Sequence, residues 1–177
     1  PPNRRSLQKQ DVLFSPHTVE FRRWDDVISM HTEITIGEDE VEIRRVTLLN
    51  DSDQPRRLKL TSYGEVVLAP QGLDQRHPAF NKLFIESEFL PAENALIFSR
   101  RSRSSVEKPV FMVHALVADP GCKETHEYES DRARFLGRGQ TANSPIALDG
   151  KNSHLSGTVG GTLDPIMSLA QEIDLKP

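Results

Sequence analysis

Apolar and polar residues alternate one by one along much of this chain, which is the pattern of β-strands that bury one face. In the segment 28–36 the apolar and polar sets fall on opposite faces of such a strand: Ile28, Met30, Ile34 and Ile36 against Ser29, His31, Glu33 and Thr35. The same alternation recurs in the segments 58–68, 85–89 and 167–175. Turn residues separate the runs, so we predict about eight or nine strands in one compact array.

Two segments depart from simple alternation. Val110–Ala118 is apolar on both faces, which predicts a central strand that is covered on both sides. In the segment 41–48 the apolar positions change parity across Arg44-Arg45. A β-bulge at these two arginines would return the apolar side chains to one face, so we predict a bulge there.

These patterns predict an all-β fold, an antiparallel β-sandwich, because no window carries a helical stripe of about ten residues or more. We expect a single sandwich domain over residues 1–177, with residues 1–10 as a flexible lead-in. The segments 73–80 and 131–150 predict long ordered connections, where binding groups on a β scaffold usually lie. The chain begins at Pro1 without a methionine, so we interpret it as a piece excised from a larger protein.

Composition narrows the classes of function. Net charge is −4 with both signs interspersed, which gives no basic stripe for a nucleic-acid duplex, and we expect no nucleic-acid partner. Cys122 is the one cysteine, so no internal disulfide can form, which is compatible with a reducing, cytoplasmic compartment. The longest apolar runs are only a few residues, far short of a membrane span.

Few residues have the spacing that site chemistry needs. The six histidines are scattered, without an HxH or HExxH pair, and the Cys122–His126 spacing alone is weak evidence for a metal, so we predict no metal site. Glu86 and Glu88 share one strand face about 7 Å apart, but their alternation with apolar neighbours is explained by a solvent-facing surface. His114 we interpret as a satisfied core or interface histidine.

The segment Tyr128–Gly139 is the most informative one, because it sets three arginines and two acids among aromatic, leucine and glycine residues. A local role is available, in which Asp131 pairs with an arginine and the glycines permit positive φ. The alternative is a loop that lies against another domain, with Arg132, Arg134 and Arg138 meeting its acids or a sugar phosphate. We favour the interdomain or ligand-proximal role for this loop, with Asp131, Arg132, Arg134 and Arg138 as its candidate residues.

Six segments together resemble one known family in the expected order: Val41–Asn50, Leu60–Leu68, His77–Phe80, Tyr128–Gly139, Leu155–Gly160 and Leu163–Ile166. They are similar to the N-terminal β-sandwich of glycoside hydrolase family 94, formerly grouped as glycosyltransferase family 36. Within the family, the sequences of these motifs most resemble those of the phosphorylase-like region of cyclic β-1,2-glucan synthases. The resemblance covers the chain from about residue 11 to its end, and it implies a supersandwich fold like that of galactose mutarotase.

The resemblance also implies a domain architecture in which the catalytic groups lie outside the sandwich. The family adds a helical linker, an (α/α)6 barrel and a small jelly roll to this sandwich, and the general acid and phosphate-binding groups lie mainly in the barrel. It implies that this chain carries no catalytic residue and no resident cofactor, with inorganic phosphate as co-substrate if the parent is a phosphorylase. The implied partners are the barrel in cis, a β-glucan or oligosaccharide through the parent, and a second copy in a homodimer. The resemblance is also compatible with a parent that is an inner-membrane protein and carries this region on its cytoplasmic side.

Because the family sandwich is longer than 177 residues, we expect that leading strands are missing here. Our leading hypothesis is a non-catalytic domain that scaffolds the barrel of a glycosyltransferase or glycoside phosphorylase acting on β-glucans. The first rival is a free-standing carbohydrate-binding module, for which Trp24 is the one plausible sugar platform. The second rival is a generic protein-interaction sandwich that binds no sugar.

Overall fold

Strands dominate the secondary structure of the chain, as the alternation predicted. The computed structural model describes residues 9–102, 104–119, 122, 125–149 and 153–177. The strands in these ranges are β1 (Lys9–Phe14), β2 (Thr18–Asp25), β3 (Ile28–Ile36), β4 (Glu42–Asn50), β5 (Arg56–Thr61), β6 (Gly64–Glu65), β7 (Ile85–Leu90), β8 (Ala95–Arg100), β9 (Val110–Ala115), β10 (Glu127–Asp131), β11 (Gly160–Gly161) and β12 (Pro165–Leu175). The helices are short: α1 (Gln71–Arg76), α2 (Pro78–Lys82) and α3 (Arg132–Leu136), with 3₁₀ turns at Pro91–Glu93 and Ile146–Leu148.

The strands form three sheets that fall into two compact units. Arg5–Leu58 with Ile173–Pro177 is one unit, and Lys59–Glu172 with Pro1–Arg4 is the other. The first unit holds the sheet β1-β2-β3-β4. The second unit holds two sheets: β10-β12-β5, in which β6 also pairs with β12, and β11-β7-β8-β9. The start of β5, up to Leu58, and the end of β12, from Ile173, belong to the first unit. The predicted all-β, antiparallel sandwich class is confirmed.

The first unit contains an antiparallel meander in which each strand pairs with the next along the chain. Short turns make this order possible: the Ser15 amide donates to the Thr18 carbonyl at 2.9 Å, and the Gly37 amide to the Val41 carbonyl at 2.9 Å. Asp26 turns the chain between β2 and β3 at φ 58°, a left-handed conformation that aspartate tolerates.

The faces of this meander follow the alternation. Registers place the predicted polar set of β3 beside Glu20, Arg22 and Trp24 of β2, and the predicted apolar set on the opposite face. The predicted bulge at Arg44-Arg45 is wrong, because the β3–β4 register runs unbroken through both residues. Ile43 instead stays on the polar face, 49% exposed. Since β4 is an edge strand and this end of it is open to water, one exposed isoleucine is tolerated without a bulge.

The core lies in the second unit, between its two sheets. Leu96 and Phe98 of β8 are fully buried, and they pack with Leu169 of β12 and with Val66, which follows β6. Strand β12 also buries its other face, where Ile166 and Ala170 pack against α3, and both of its faces are therefore covered. Among the described strands, β12 is therefore one that has both faces covered.

The prediction that Val110–Ala118 is such a strand is wrong. Strand β9 lies at the edge of its sheet, beyond β8, with Phe111 62% and Val113 58% exposed. An apolar composition on both faces therefore does not by itself produce a covered strand. The second face of β12 escaped the pattern because it is built with the small residues Ser168 and Ala170, which do not read as an apolar stripe.

The two predicted connections hold short helices. In the first, α1 follows Pro70, and α2 begins with Pro78, a residue suited to a first helical turn because its missing N–H needs no partner there. Buried Asn81 ties them together, since its amide donates to the Leu73 and His77 carbonyls. In the second connection, α3 precedes irregular structure; the prediction for Gly150 lies outside the described residues.

Of the predicted flexible lead-in, residues 1–8 lie outside the described part, and Lys9 and Gln10 begin β1. The prediction of one domain over residues 1–177 stays a prediction.

Candidate functional site

Asp131 lies where β10 ends and α3 begins, and its side chain serves as the cap of that helix. One of its carboxylate oxygens accepts from the Ala133 amide at 2.8 Å, satisfying a helix N–H that has no intrahelical partner. The other oxygen is 4.0 Å from Arg134 Nε. Asp131 therefore has a local contact with an arginine, and its carboxylate caps α3.

Arg132 is held by three partners from other elements. Its Nε–H donates to the Tyr63 hydroxyl at 3.4 Å, and carboxylate oxygens of Glu65 and Asp164 each lie 3.4 Å from the guanidinium. The hydrogen bond to Tyr63, helped by the two carboxylates, raises the pKa of Arg132 above its ordinary value. Lys82 adds a second cation at 2.5 Å from Asp164. Arg132 is therefore a fixed part of the surface, with a set orientation.

Arg134 and Arg138 lie on the same stretch but project into solvent. The Arg134 side chain is 61% exposed, and Arg138 is exposed with no partner among the residues that the structure describes. Gly137 separates them at φ 83°, and a Cβ there would come within 2.8 Å of the Ile146 Cγ2. The chain around these two arginines is thus sterically fixed, while their charges remain available.

Sequence reasoning missed Glu129, a carboxylate that is 1% exposed in β10. Its Oε1 accepts from the Ser130 and Asp131 amides at 3.0 and 2.9 Å. Its Oε2 accepts from the hydroxyls of Ser156 and Thr158. All four donors stabilise the buried carboxylate, and the two hydroxyls hold the 155–160 segment against β10. The hydroxyls of Ser156 and Thr158, two residues apart, are the signal that could have revealed it.

An aromatic stack supports the same segment. The rings of Tyr128 and Phe89 are parallel to within 17° with centroids 4.0 Å apart. Gly157, at φ 72°, lies against the Tyr128 ring, and its amide donates to the Tyr128 carbonyl at 2.9 Å. These contacts fix the shape of the surface that borders α3, because both the backbone and the ring are held.

Trp24 lies far along the chain from that surface, on the polar face of the meander in the first unit. The ring is half-buried, and the Lys9 ammonium lies 4.7 Å from its centroid, a cation–π contact that occupies part of the predicted sugar platform. Glu20 on the same strand face receives hydrogen bonds from Arg22 at 2.8 Å and His31 at 3.1 Å. These bonds, that of Arg22 first, lower the pKa of Glu20.

The remaining candidate residues have structural surroundings. Glu86 and Glu88 are exposed on the outer face of β7, which confirms the interpretation of a solvent-facing surface. His114 Nε2 lies 2.8 Å from the Ser62 hydroxyl, as expected of a hydrogen-bonded interior histidine. Within the described ranges, no three His, Cys, Asp or Glu side chains converge on a point where a metal ion could bind.

No helix in the part of the chain that the structure describes has the length and apolar character needed to cross a bilayer.

Comparison with known proteins identifies the family to which this chain belongs. A family model described as the supersandwich domain of glycosyl hydrolase 94 matches residues 1–177. The cyclic beta-(1,2)-glucan synthase NdvB of Rhizobium meliloti (strain 1021) is 34% identical over 173 residues. That alignment covers 97% of this chain but 6% of the synthase, so the chain spans only a small part of its relative's length. The resemblance seen in the sequence is confirmed: this chain belongs to the glycosyl hydrolase 94 supersandwich-domain family.

Proposed function

We propose that this chain is a non-catalytic sandwich that scaffolds the catalytic domain of a larger carbohydrate-active enzyme. The name of the Rhizobium relative supports a β-1,2-glucan as the polymer that the parent handles. The parent's chemistry then belongs to a neighbouring (α/α)6 barrel in cis, on the cytoplasmic side of a membrane if the parent is membrane-bound.

One observation carries the proposal: the acids around α3 are already engaged, whereas Arg134 and Arg138 beside them are largely exposed. Glycoside chemistry needs two carboxyl groups about 5–10 Å apart across a sugar. Here Glu129 accepts from four donors, Asp131 caps α3, and Asp164 pairs with two cations. Arg134, with only a 4.0 Å contact to Asp131, and exposed Arg138 lie on a stretch whose backbone is held, with charges accessible to acids of another domain.

In a phosphorylase-type parent, inorganic phosphate attacks the anomeric carbon while one carboxylic acid of the barrel protonates the leaving oxygen. Inversion at that carbon requires the phosphate and the carboxylic acid to be held on opposite faces of the sugar. The role of this chain is then to hold the barrel loops and exclude water from the sugar site, through the surface formed by α3 and residues 155–160.

A direct test is to incubate the chain with glucose 1-phosphate and a β-1,2-glucan acceptor and to follow phosphate release. We expect no turnover above the rate without protein. Release that depends on the chain, and that survives purification to constant specific activity, would place chemistry in this domain and refute the proposal.

The scaffold role is tested in a chimaera of the Rhizobium synthase in which this chain replaces the matching 173-residue region. The measurement is glucan synthesis by the chimaera. We expect the exchange to retain activity and the double variant Arg134→Glu/Arg138→Glu to lose most of it, roughly tenfold, through reversed interdomain charges. Arg56→Glu is the matched control, because Arg56 is another exposed arginine of this chain. Equal activity of both variants would exclude Arg134 and Arg138 from the interdomain contact.

A second candidate function is carbohydrate binding at Trp24, favoured by its half-exposed ring beside the polar ladder of Glu20, Arg22 and His31. Sugars stack on such rings, but the Lys9 ammonium must first move aside. Affinity electrophoresis in β-1,2-glucan tests it: Trp24→Ala should abolish retardation, and Lys9→Ala should strengthen it. Unchanged retardation of the Trp24 variant would remove this candidate.

A further inference from the structure

Arg100, the last residue of β8, carries a buried guanidinium that is only partly paired. Its side chain is 4% exposed, and its Nη1 lies 3.0 Å from a carboxylate oxygen of Glu107. Its Nε and Nη2 are shielded from solvent and have no hydrogen-bond partner among the residues that the structure describes. Burying charged N–H groups without an acceptor destabilises a fold, because their hydration is lost and nothing replaces it.

The two unpaired nitrogens form one edge of the guanidinium. Nε–H and Nη2–H point in nearly the same direction, so together they match two oxygens of a carboxylate or a phosphoryl group. The backbone of Arg100 is paired with Ile85 and with Val110, and Glu107 holds Nη1, so the direction of this edge is set. An oriented, dehydrated pair of donors favours anion binding, because little ordering of the arginine remains to be done.

The β8–β9 connection, residues 101–109, adds charge and hydroxyl groups beside this arginine. Residues 100–108 carry one acid, Glu107, against four cations, although the whole chain has a net charge of −4: Arg100, Arg101, Arg103 and Lys108. Three exposed serines follow in the same connection: Ser102, Ser104 and Ser105. This composition favours a doubly charged phosphoryl group over a carboxylate, because it offers more positive charge and more donors than one carboxylate needs.

The connection is fixed at both ends and forms an exposed turn between them. At its start the Arg101 amide donates to the Phe84 carbonyl at 2.8 Å, and at its end Val110 begins β9. In the turn, the Glu107 amide donates to the Ser104 carbonyl at 3.3 Å, and Val106 is 89% exposed. Exposed turns of this kind open at a low free-energy cost, and opening this one draws Glu107 away from the guanidinium.

We propose that the β8–β9 connection opens to admit a phosphoryl oxyanion, which binds Arg100 through its Nε–H and Nη2–H. In the closed form Glu107 neutralises the arginine, and in the open form the oxyanion takes over that role. The ligand is a tetrahedral dianion, supplied either as inorganic phosphate or as a phosphate monoester. All of these groups lie in this chain, so the inference is independent of the scaffold role and of the parent's activity.

The first measurement is the Tm of the 177-residue chain in inorganic phosphate up to about 20 mM, with sodium chloride keeping the ionic strength constant. For an apparent dissociation constant near 1 mM we expect Tm to rise by about 5 °C, because phosphate binds the folded chain alone. Glucose 1-phosphate distinguishes the two sources: a shift equal to that of phosphate assigns recognition to the phosphoryl group, and a larger one to a monoester. A Tm that responds to neither compound overturns the proposal.

A matched pair of variants locates the site. Arg100→Met replaces the guanidinium with an apolar side chain and removes an incompletely paired charge from the interior, so we expect the variant to fold and to lose the phosphate-dependent rise in Tm. Arg56→Met makes the same change at an exposed arginine of β5 and should keep the full rise. An undiminished rise in the Arg100 variant refutes binding at this site.

A second pair tests the competition with Glu107 while leaving the arginine in place. Glu107→Gln removes the carboxylate charge from the guanidinium, so the apparent dissociation constant for phosphate should fall at least about threefold. Glu86→Gln makes the same change at an exposed acid of β7 and should leave the constant unchanged. Equal constants in the two variants contradict the exchange of Glu107 for the oxyanion.

Nuclear magnetic resonance of the arginine Nε–H groups gives a readout that does not depend on unfolding. The Arg100 signal is identified by its loss in Arg100→Met. We expect it to shift with phosphate along a saturating curve whose midpoint agrees with the constant from Tm. A signal that stays in place while Tm rises puts the oxyanion elsewhere and overturns the proposal.

Discussion

The buried carboxylate of Glu129 allows a prediction whose size follows from its contacts. In Glu129→Ala the Asp131 amide loses its acceptor inside a site that is 1% exposed, whereas the Ser130 amide keeps its bond to the Thr158 carbonyl at 3.1 Å. A buried N–H left without a partner costs about 1–3 kcal/mol, so we expect a loss of about 2 kcal/mol in the free energy of unfolding. For a unit of this size that corresponds to a fall of roughly 8 °C in Tm.

A graded pair of variants separates the hydrogen bonds from the volume of the side chain. Glu129→Gln keeps an acceptor for the two amides and turns its NH2 toward the Ser156 and Thr158 hydroxyls, which can rotate to accept. We expect it to cost about 1 kcal/mol, since only the charge assistance is lost. Glu88→Ala removes an exposed glutamate from the outer face of β7 and should stay within about 0.5 kcal/mol of the parent chain.

The assay must report on the correct unit. Trp24, the single tryptophan, belongs to the unit that does not contain Glu129, so its fluorescence is a poor probe of this change. Far-UV circular dichroism during urea unfolding gives the free energies, and exchange of the Ser130 and Gly157 amides reports the local loss. If Glu129→Ala were as stable as Glu88→Ala, the four contacts would contribute nothing and the reasoning would be refuted.

Three further changes test other parts of the structure. Gly137→Ala forces a Cβ at φ 83° to within 2.8 Å of Ile146, and thermal unfolding should show a loss of about 2 kcal/mol; an unchanged Tm would contradict it. Asp131→Ala removes the cap of α3 and should cost about 1 kcal/mol, seen as faster exchange of the helix amides. The pKa of Glu20 is lowered, chiefly by Arg22, so its contribution to stability is complete above the ordinary value of 4.5 and is lost as pH falls below it. Glu20→Gln should flatten the pH dependence of Tm in that acid range, and an identical dependence would exclude the contribution.

Local periodicity made the strands predictable. The side chains of β3 and β7 alternate at most positions, so both their existence and the identity of their solvent faces followed from the sequence, as the exposed Glu86 and Glu88 show. The short helices α1 and α2 could not be predicted this way, since five or six residues complete little more than one turn. The candidate arginines were found because one segment sets three arginines and two acids among aromatic, leucine and glycine residues, but their separation into one held and two exposed side chains depends on Tyr63, Glu65 and Asp164.

The sequence by itself determined that this protein is built from alternating strands and that it belongs to the glycosyl hydrolase 94 supersandwich-domain family, because two-residue periodicity and motif order are local properties. Tertiary structure alone decided which strand is covered on both faces. Small Ser168 and Ala170 allow α3 to approach β12, whereas apolar β9 lies at an edge. It also decided the surroundings of buried Glu129, since two of its four donors, the Ser156 and Thr158 hydroxyls, come from a segment that is distant along the chain. Contacts between distant segments decide whether a carboxylate is buried and which donors stabilise it. The periodicity of neighbouring residues does not reveal either property.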